Sequence, residues 1–513
     1  MADCWEQRRF EYRCWTPQVE GVWHPQVHRS CAHNASLGLQ LRTLGLVPGA
    51  TESGRDLFRR QGRLLRNVLR GRVGTVLPWT HEQVVESYSE ARMRLRYGEA
   101  LASLRDAPIS RRDARVAAFV KAEKLANYKV HKPRVIMGRS PRYNLELASF
   151  LKPLEHELYP AFRGWGSRFL THTRLIGKGL SGEQRAVLLR RKMQSHSDVV
   201  AFEVDCKSFE SHLDLSQLDV EHGIYNSLVR SPGLQKLLSW QKEFSGAFRS
   251  GVRFRAKGVR ASGDFNTGLG NTLIMCCLVM GSAERIGTPF DFLADGDNAV
   301  VFVRGRDLHL WQRELSSCFL EMGHEAEIGE VQREIEGVTF GQSKPVCVAG
   351  RWTMVRDPLK VLSHAFAGHQ HYAEMSGGIR VLRATAYCEA TLNRGVPVLQ
   401  EFAHAMLRRT RGLKMALRAT FDNYEYRTIL RGVDPRAERK REEIAHSTRC
   451  SFERAWGIPI GEQLRLEAEF ARVKVDLPAT WEGTPIEATL AGALDPWQLP
   501  MDEDTALWIT RWS

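Results

Sequence analysis

Three features of the sequence predict an α+β fold. Long helical periodicities occupy both ends of the chain, strand-like runs are confined to its middle, and strands do not alternate with crossover helices. From the N-terminus, Ser36 to Arg72 and His81 to Arg105 read as largely amphipathic helices with basic faces. A basic stretch follows from Phe119 to Asn144, and helical patterns continue to about Ser195, with Ser181 as the N-cap of "SGEQRAVLLRRKM". "VVAFEVD", Val199–Asp205, alternates like a strand. If Val200, Phe202 and Val204 enter a core, Asp205 emerges on the opposite face at the strand's end. "FDFLADGDNAVVFV", Phe290–Val303, is two apolar runs broken by Asp295-Gly296-Asp297-Asn298, a hairpin signal because Gly tolerates the positive φ of a tight turn. Val338–Pro358 reads as a second hairpin turning at Gly350. Beyond Lys360 the pattern is mainly helical, with a charge-dense break at "DPRAERKREE" and a Pro/Trp-rich tail from about Leu477.

Composition narrows the partners. The 513 residues suffice for a large core divided into more than one subdomain, and the formal charge is +14. Lys and Arg recur throughout, interleaved with Trp, Tyr and Phe, which suits a folded channel for a polyanion, either nucleic acid or an acidic membrane surface. No run of eighteen or more uncharged apolar residues occurs, so no spanning helix is expected, and the N-terminus lacks the apolar stretch of a secretory signal. Ten cysteines without a C-x-x-C pair read as reduced, partly buried thiols in a cytosolic setting, not as a structural zinc site.

Asp205 and the Asp295–Asn298 turn are both strand-tip sites. On neighbouring strands their carboxylates would repel unless a cation compensated, and Mg²⁺ is content with one or two carboxylates, waters and substrate phosphates. Two such ions about 3.5–4 Å apart can activate an attacking hydroxyl and stabilise a leaving phosphate oxygen. "RASGDFNTGLGNTLIMCCLVMGSA", Arg260–Ala283, opens with a turn at Ser262-Gly263-Asp264 and continues into a helix that is apolar on nearly every side. Its first turns present Thr267 and Asn271 on one face, suited to reading a sugar hydroxyl. "FVKAEKLANYKVHKPRVIMGRSPRYN" carries Lys121, Lys124, Lys129, Lys132, Arg134, Arg139 and Arg142 against the single acid Glu123. Val135, Ile136 and Met137 within it suggest a strand, so part of this charge lines a site for triphosphate.

In this order the segments resemble the motifs of viral RNA-dependent RNA polymerases, closest to the tombusvirus-like group. "FVKAEK…KPRVIMGRSPRYN" is similar to the basic fingers motif, "VDCKSFESHLD" to the first palm motif and "SGDFNTGLGNTLIM" to the second. "DGDN" sits where the family has Gly-Asp-Asp, a GDN variant. "IGKGLSGEQRA" precedes the first palm motif, "FGQSKPV…WTMVRDPLKVLSHA" is similar to the primer-grip hairpin, and "SFERAWGIPIGEQLRLE" to the thumb. The likeness covers Phe119 to Phe470. It implies a right hand with a small antiparallel palm sheet surrounded by helices: N-terminal region and fingers 1–198, palm 199–214, a fingers insertion 215–259, palm 260–357, and thumb and tail 358–513.

The resemblance further implies replication of a positive-strand RNA genome by template-directed nucleotidyl transfer. Asp205, Asp297 and Asn298 would be catalytic residues and ligands of two Mg²⁺ ions, with Mn²⁺ able to substitute. Glu210, Ser262, Thr267 and Asn271 would recognise the ribose, and Lys121, Lys124, Lys132, Arg134, Arg139, Arg142 and Lys207 would hold triphosphate and RNA. Implied partners are RNA template and product, nucleoside triphosphates, other viral replication proteins and host membranes reached through a partner. The implied location is host cytoplasm, in membrane-associated replication complexes. Three positions depart from the pattern. Asn298 replaces an Asp and removes one charge, which Asp295 either restores or leaves unrestored by facing solvent. Glu210 replaces the Asp that helps to tell ribose from deoxyribose, moving the carboxylate by about one bond length. The segment "LSSCFLEMGHEAEIGE" lacks the Lys that serves relatives as a candidate general acid, leaving His324, either as its replacement or as a solvent-facing side chain, beside Glu325 and Glu327. The alternative function is a catalytically impaired homologue acting as an RNA-binding scaffold.

Overall fold

The computed structural model describes residues 6–7, 12–128, 130–368, 375–417 and 423–475. Lys129 and the Pro/Trp-rich tail lie outside the described residues.

The mid-chain runs build an antiparallel four-stranded sheet in the order Phe290–Asp295, Asn298–Arg304, Val199–Cys206, Ala326–Ile328. Their Val, Phe and Ile content suits a pleated, enclosed surface. Both faces are covered. Val200, Phe202, Val204, Val301 and Val303 pack with the helices Thr267–Ile286 and Leu308–Glu321, while Val199, Ala201, Val300 and Phe302 pack with Leu189, Met193 and Phe340. The strand Val199–Cys206 is therefore apolar on two sides over most of its length, and only Glu203 and Asp205 are partly open. One sheet edge is capped by the segment around Phe169–Ile176, which runs parallel to Phe290–Asp295 through Leu170 N–H to Phe290 O (2.9 Å) and Gly177 N–H to Ala294 O (2.8 Å).

A second four-stranded sheet joins regions on either side of Asp205 in sequence: Arg253–Lys257, Glu243–Phe248, Val116–Val120 and Val135–Gly138. Here burial alternates strictly, one face inward against the helix Ala32–Arg42 and the other exposed, or partly open along Val135–Gly138. The later hairpin, Ser343–Val348 with Arg351–Arg356, turns through Ala349 and Gly350, both at positive φ. It is held by helix His446–Trp456 through Cys347 N–H to Ser451 Oγ (2.9 Å) and Ala349 N–H to Thr448 Oγ1 (3.0 Å). The C-terminal helices share a separate core containing Phe402 and Phe470.

Residues 12–31 carry no motif, yet they join parts far apart in sequence. Tyr12–Arg13 pairs with Ala367–Gly368, Pro25–Gln26 pairs with Leu125–Ala126, and the Trp15 ring stacks on Phe402 at 5.0 Å.

His324 is neither solvent-facing nor placed for proton transfer. It is fully buried, its ring 4.9 Å from Phe209 and 5.8 Å from His212. The Gln217 amide nitrogen donates to Met322 O, so its oxygen accepts from His324 Nε2–H at 3.1 Å. Burial, then the neighbouring His212, push the imidazole down to about 3, so it is neutral at physiological pH. Protons that His324 refuses when folded are taken up near pH 6.5 when unfolded, so its contribution is fully present above that value and declines as pH falls towards 3. The loss at pH 5 is about 2 kcal/mol. His324→Gln is expected to flatten the fall of urea midpoint between pH 7 and pH 5; identical slopes in both proteins would contradict this.

Candidate active site

The turn Asp295-Gly296-Asp297-Asn298 closes the central hairpin, with Asp295 paired opposite Asn298. Gly296 has φ 69°, and the space around it is open, so the turn needs glycine for its backbone rather than for lack of room. Its N–H donates to Thr272 Oγ1 at 2.8 Å, and Thr272 donates to Gly268 O at 2.6 Å. The turn is thereby anchored to the helix Thr267–Ile286, whose residues Leu269 to Ala283 are all buried.

On the adjacent strand Val204 pairs with Ala299 and Asp205 with Glu327, which sets Asp205 beside the tip of the hairpin. Asp205 Oδ1 accepts from Cys206 N–H at 2.8 Å. Burial raises the Asp205 carboxyl, the Cys206 N–H lowers it, and Glu327 and Glu210 raise it further. Asp297 is pushed up to about 6 by burial, then by Glu210 and Asp205, with Arg134 opposing. Asp205 and Asp297 therefore both feel Glu210, and Asp297 also feels Asp205, at the strand ends. Among the described residues no three His, Cys, Asp or Glu side chains gather at metal-holding range. What the site offers is two half-buried carboxylates with raised proton affinity and the Asn298 amide, a hard oxygen set that suits a divalent cation.

Glu210 reaches this corner through a backbone reversal at Ser208 (φ 42°, ψ 52°) and a short 3₁₀ turn, Phe209–Ser211. Its carboxylate accepts from Asn271 Nδ2 at 3.3 Å, and Asn271 Oδ1 accepts from Arg260 Nε at 3.1 Å. Arg260 forms a fully buried ion pair with Glu221, which also accepts from Tyr225 Oη and from Asn266 Nδ2, both at 2.8 Å. Burial alone would raise Glu221, but Arg260, His222 and the hydrogen bond from Tyr225 together outweigh it and hold the carboxyl below its ordinary value. The pair lies against Gly270, where a Cβ would meet Glu221 Oε1 at 2.2 Å. Sequence reasoning missed Arg260, Glu221, Asn266 and Thr272. The available signal was Glu221 at helical spacing with Leu218, Ile224, Tyr225 and Leu228 on the buried face of the helix Leu215–Val229, since a buried carboxylate requires a partner.

The remaining sequence-derived candidates divide. Ser262 Oγ donates to Val135 O at 2.7 Å, and Thr267 Oγ1 donates to Asp264 O at 2.9 Å, so both hydroxyl protons are spent on backbone while Asn271 faces Glu210. Arg139 is not an open anion clamp: it is buried and paired with Asp264, because a guanidinium at that depth must be neutralised. Arg142 is likewise committed, to Asp113 at 2.9 Å, Ser103 Oγ at 2.7 Å and Ala107 O at 2.7 Å. Lys124 donates to His364 O at 2.6 Å. Lys121 and Arg134 flank Glu123 at 3.3 Å and 3.5 Å, Lys132 is exposed, and half-exposed Lys207 lies 3.6 Å from Glu325. Asp295 points to Arg185 at 2.6 Å and does not replace the charge missing at Asn298.

The profile of a family described as viral RNA dependent RNA polymerase matches residues 18–478. Among curated proteins the chain is 30% identical over 492 residues to the RNA-directed RNA polymerase of Turnip crinkle virus, covering 92% of this chain and 60% of that protein. It is 30% identical to that of Maize chlorotic mottle virus, covering 86% and 46%, and 30% identical to that of Tomato bushy stunt virus (strain Cherry), covering 88% and 55%. The chain thus spans about half to three fifths of the length of these relatives.

Arg139→Met is expected to destabilise the protein by about 3–5 kcal/mol through the abandoned Asp264 charge. Urea unfolding checks this; unchanged stability with weakened RNA binding would return Arg139 to the anion-binding group.

Proposed function

The chain belongs to the viral RNA dependent RNA polymerase family, and on that premise we propose that it synthesises RNA on an RNA template from nucleoside triphosphates. The observation that carries this reading is the convergence of Asp205, Asp297 and Glu210 on one corner of the central sheet, where burial, then the charges of Glu210 and Asp205, raise Asp297 to about 6. A 3′-hydroxyl, or that of an initiating nucleotide, attacks the α-phosphate; one P–O bond forms, the bond to the β-phosphate oxygen breaks, and pyrophosphate leaves.

Asp205 and Asp297, with the Asn298 carbonyl, would hold two Mg²⁺ ions, which when bound lower the pKa of the attacking hydroxyl and neutralise the leaving group. The protein's own part is orientation. Asn271 fixes the Glu210 carboxylate, and Arg260 fixes Asn271, so a ribose hydroxyl meets a preset acceptor. Lys121, Lys132 and Arg134 supply the cations for the triphosphate, and Lys207 borders the same corner. In the right-hand division, 1–198 and 215–259 form fingers, 199–214 and 260–357 the palm and 358–513 the thumb. The shared sheet of Val116–Val120 with Glu243–Phe248 supports grouping the first two. No described helix is long and apolar enough to cross a membrane; attachment to host membranes in cytoplasmic replication complexes would come through another viral replication protein.

Purified protein with RNA template, nucleoside triphosphates and Mg²⁺ or Mn²⁺ is expected to yield labelled RNA that chelation abolishes. Asp205→Ala and Asp297→Ala should each lose about 10²–10³-fold or more. No product from the wild type, with salt-sensitive RNA binding intact, would replace this reading with a scaffold. Glu210→Asp should change the ratio of deoxynucleotide to ribonucleotide incorporation; an unchanged ratio would remove Glu210 from sugar discrimination.

A further inference from the structure

One side chain in this neighbourhood belongs to no motif. Arg42 ends the helix Ala32–Arg42, where the negative end of the helix dipole favours a cation. The same helix packs against the strands that carry Lys121 and Arg134 at their ends, Val116–Val120 and Val135–Gly138. Next to Arg42, the carbonyl of Leu41 accepts from Ser208 Oγ at 3.5 Å, so the helix end abuts the backbone reversal that delivers Glu210. Among the described residues Arg42 Nε is buried without a hydrogen-bond partner. Around it stand Arg134, Glu123 and Glu210; burial, then Arg134, pull the guanidinium below its ordinary value, with Glu123 and Glu210 opposing.

Glu123 is the only acid among the basic residues of its stretch, and it is shared. Its Oε2 lies 3.3 Å from Lys121 Nζ and 3.5 Å from Arg134 Nη1, and its charge acts on Arg42. Lys121, Arg134 and Arg42 thus face two carboxylates, Glu123 and Glu210, which leaves the cluster one positive charge in excess. The surplus reaches the strand tips, since Arg134 acts on Asp297. A buried donor without an acceptor and a surplus of positive charge both call for an anion larger and more highly charged than a carboxylate.

We propose that Glu123 is a placeholder for the nucleotide's phosphates, holding Lys121, Arg134 and Arg42 in position until an incoming triphosphate displaces it, with Arg42 as a further phosphate-binding cation supplied by the N-terminal helix. The inference rests on the polymerase reading for the identity of the ligand. It assigns Glu123 a competitive part. The carboxylate keeps the cations from repelling one another apart while the site is empty, and its displacement weakens nucleotide binding by the cost of breaking those pairs. That cost favours a polyphosphate, which can satisfy all three cations at once, over a monophosphate, which cannot.

The test is calorimetric titration of the full chain with tripolyphosphate, without template, beside steady-state RNA synthesis. Glu123→Gln is expected to bind tripolyphosphate about three- to tenfold more tightly and to lower the KM for nucleotide without raising kcat. Arg42→Ala should bind about tenfold more weakly, with partial recovery in Arg42→Lys. Weaker or unchanged binding in Glu123→Gln, with its thermal unfolding intact, overturns the proposal, as does unchanged binding in Arg42→Ala. Should Glu123→Gln fail to fold, the Arg42→Ala and Arg42→Lys pair decides. Wild-type RNA product without tightening in Glu123→Gln defeats the exchange alone, whereas the expected binding pattern without any wild-type product defeats the polymerase reading and leaves the exchange standing.

Discussion

Asp205, Glu210 and Asp297 repel one another, and most of the surrounding architecture can be understood as the means of keeping them together. Left to themselves, three carboxylates at flexible loop tips would separate or take up protons. Here each is carried on an element with little freedom. Asp205 sits in a strand paired on both sides, Asp297 in a two-residue turn tied to a buried helix, and Glu210 in a short 3₁₀ turn whose entry is a left-handed Ser208. Burial, then this repulsion, appear as raised proton affinity at Asp205 and Asp297. That is the electrostatic state a divalent cation would relieve.

Behind these acids lies a layer of buried ion pairs: Arg260 with Glu221, Arg139 with Asp264 and Lys192 with Asp291. Such pairs are weak stabilisers, because desolvation offsets much of their attraction. Their value is directional. Arg260 orients Asn271, which orients Glu210; Asp264, held by Arg139, keeps the start of the Thr267–Ile286 helix against the strand Val135–Gly138. Lys192 and Thr171 converge on Asp291 within the outer strand of the hairpin that carries Asp297. A fixed acceptor or donor at each point reduces the reorganisation a reaction would require.

Much of this scaffold was legible in the sequence. Runs such as Val199–Asp205 and Phe290–Val303, the glycine of the Asp295–Asn298 turn and the uniformly apolar helix after Thr267 are local patterns, and local patterns report secondary structure. Partnership between distant residues is not a local pattern. Arg139 and Arg142 looked like free cations because Asp264 and Asp113 stand far away in sequence. His324 looked like a surface titrating group because the ring of Phe209 and the amide of Gln217 that enclose it come from elsewhere. Arg42 and the segment 12–31 were silent for the same reason: their importance lies entirely in what they touch.

The account stands or falls on the corner formed by Asp205 and Asp297. Crystals of the protein soaked in Mn²⁺ and measured at the manganese absorption edge address it directly. An anomalous peak within coordinating reach of both carboxylates is the predicted result. Manganese bound elsewhere, with Asp205 and Asp297 turned into separate cavities, would contradict it.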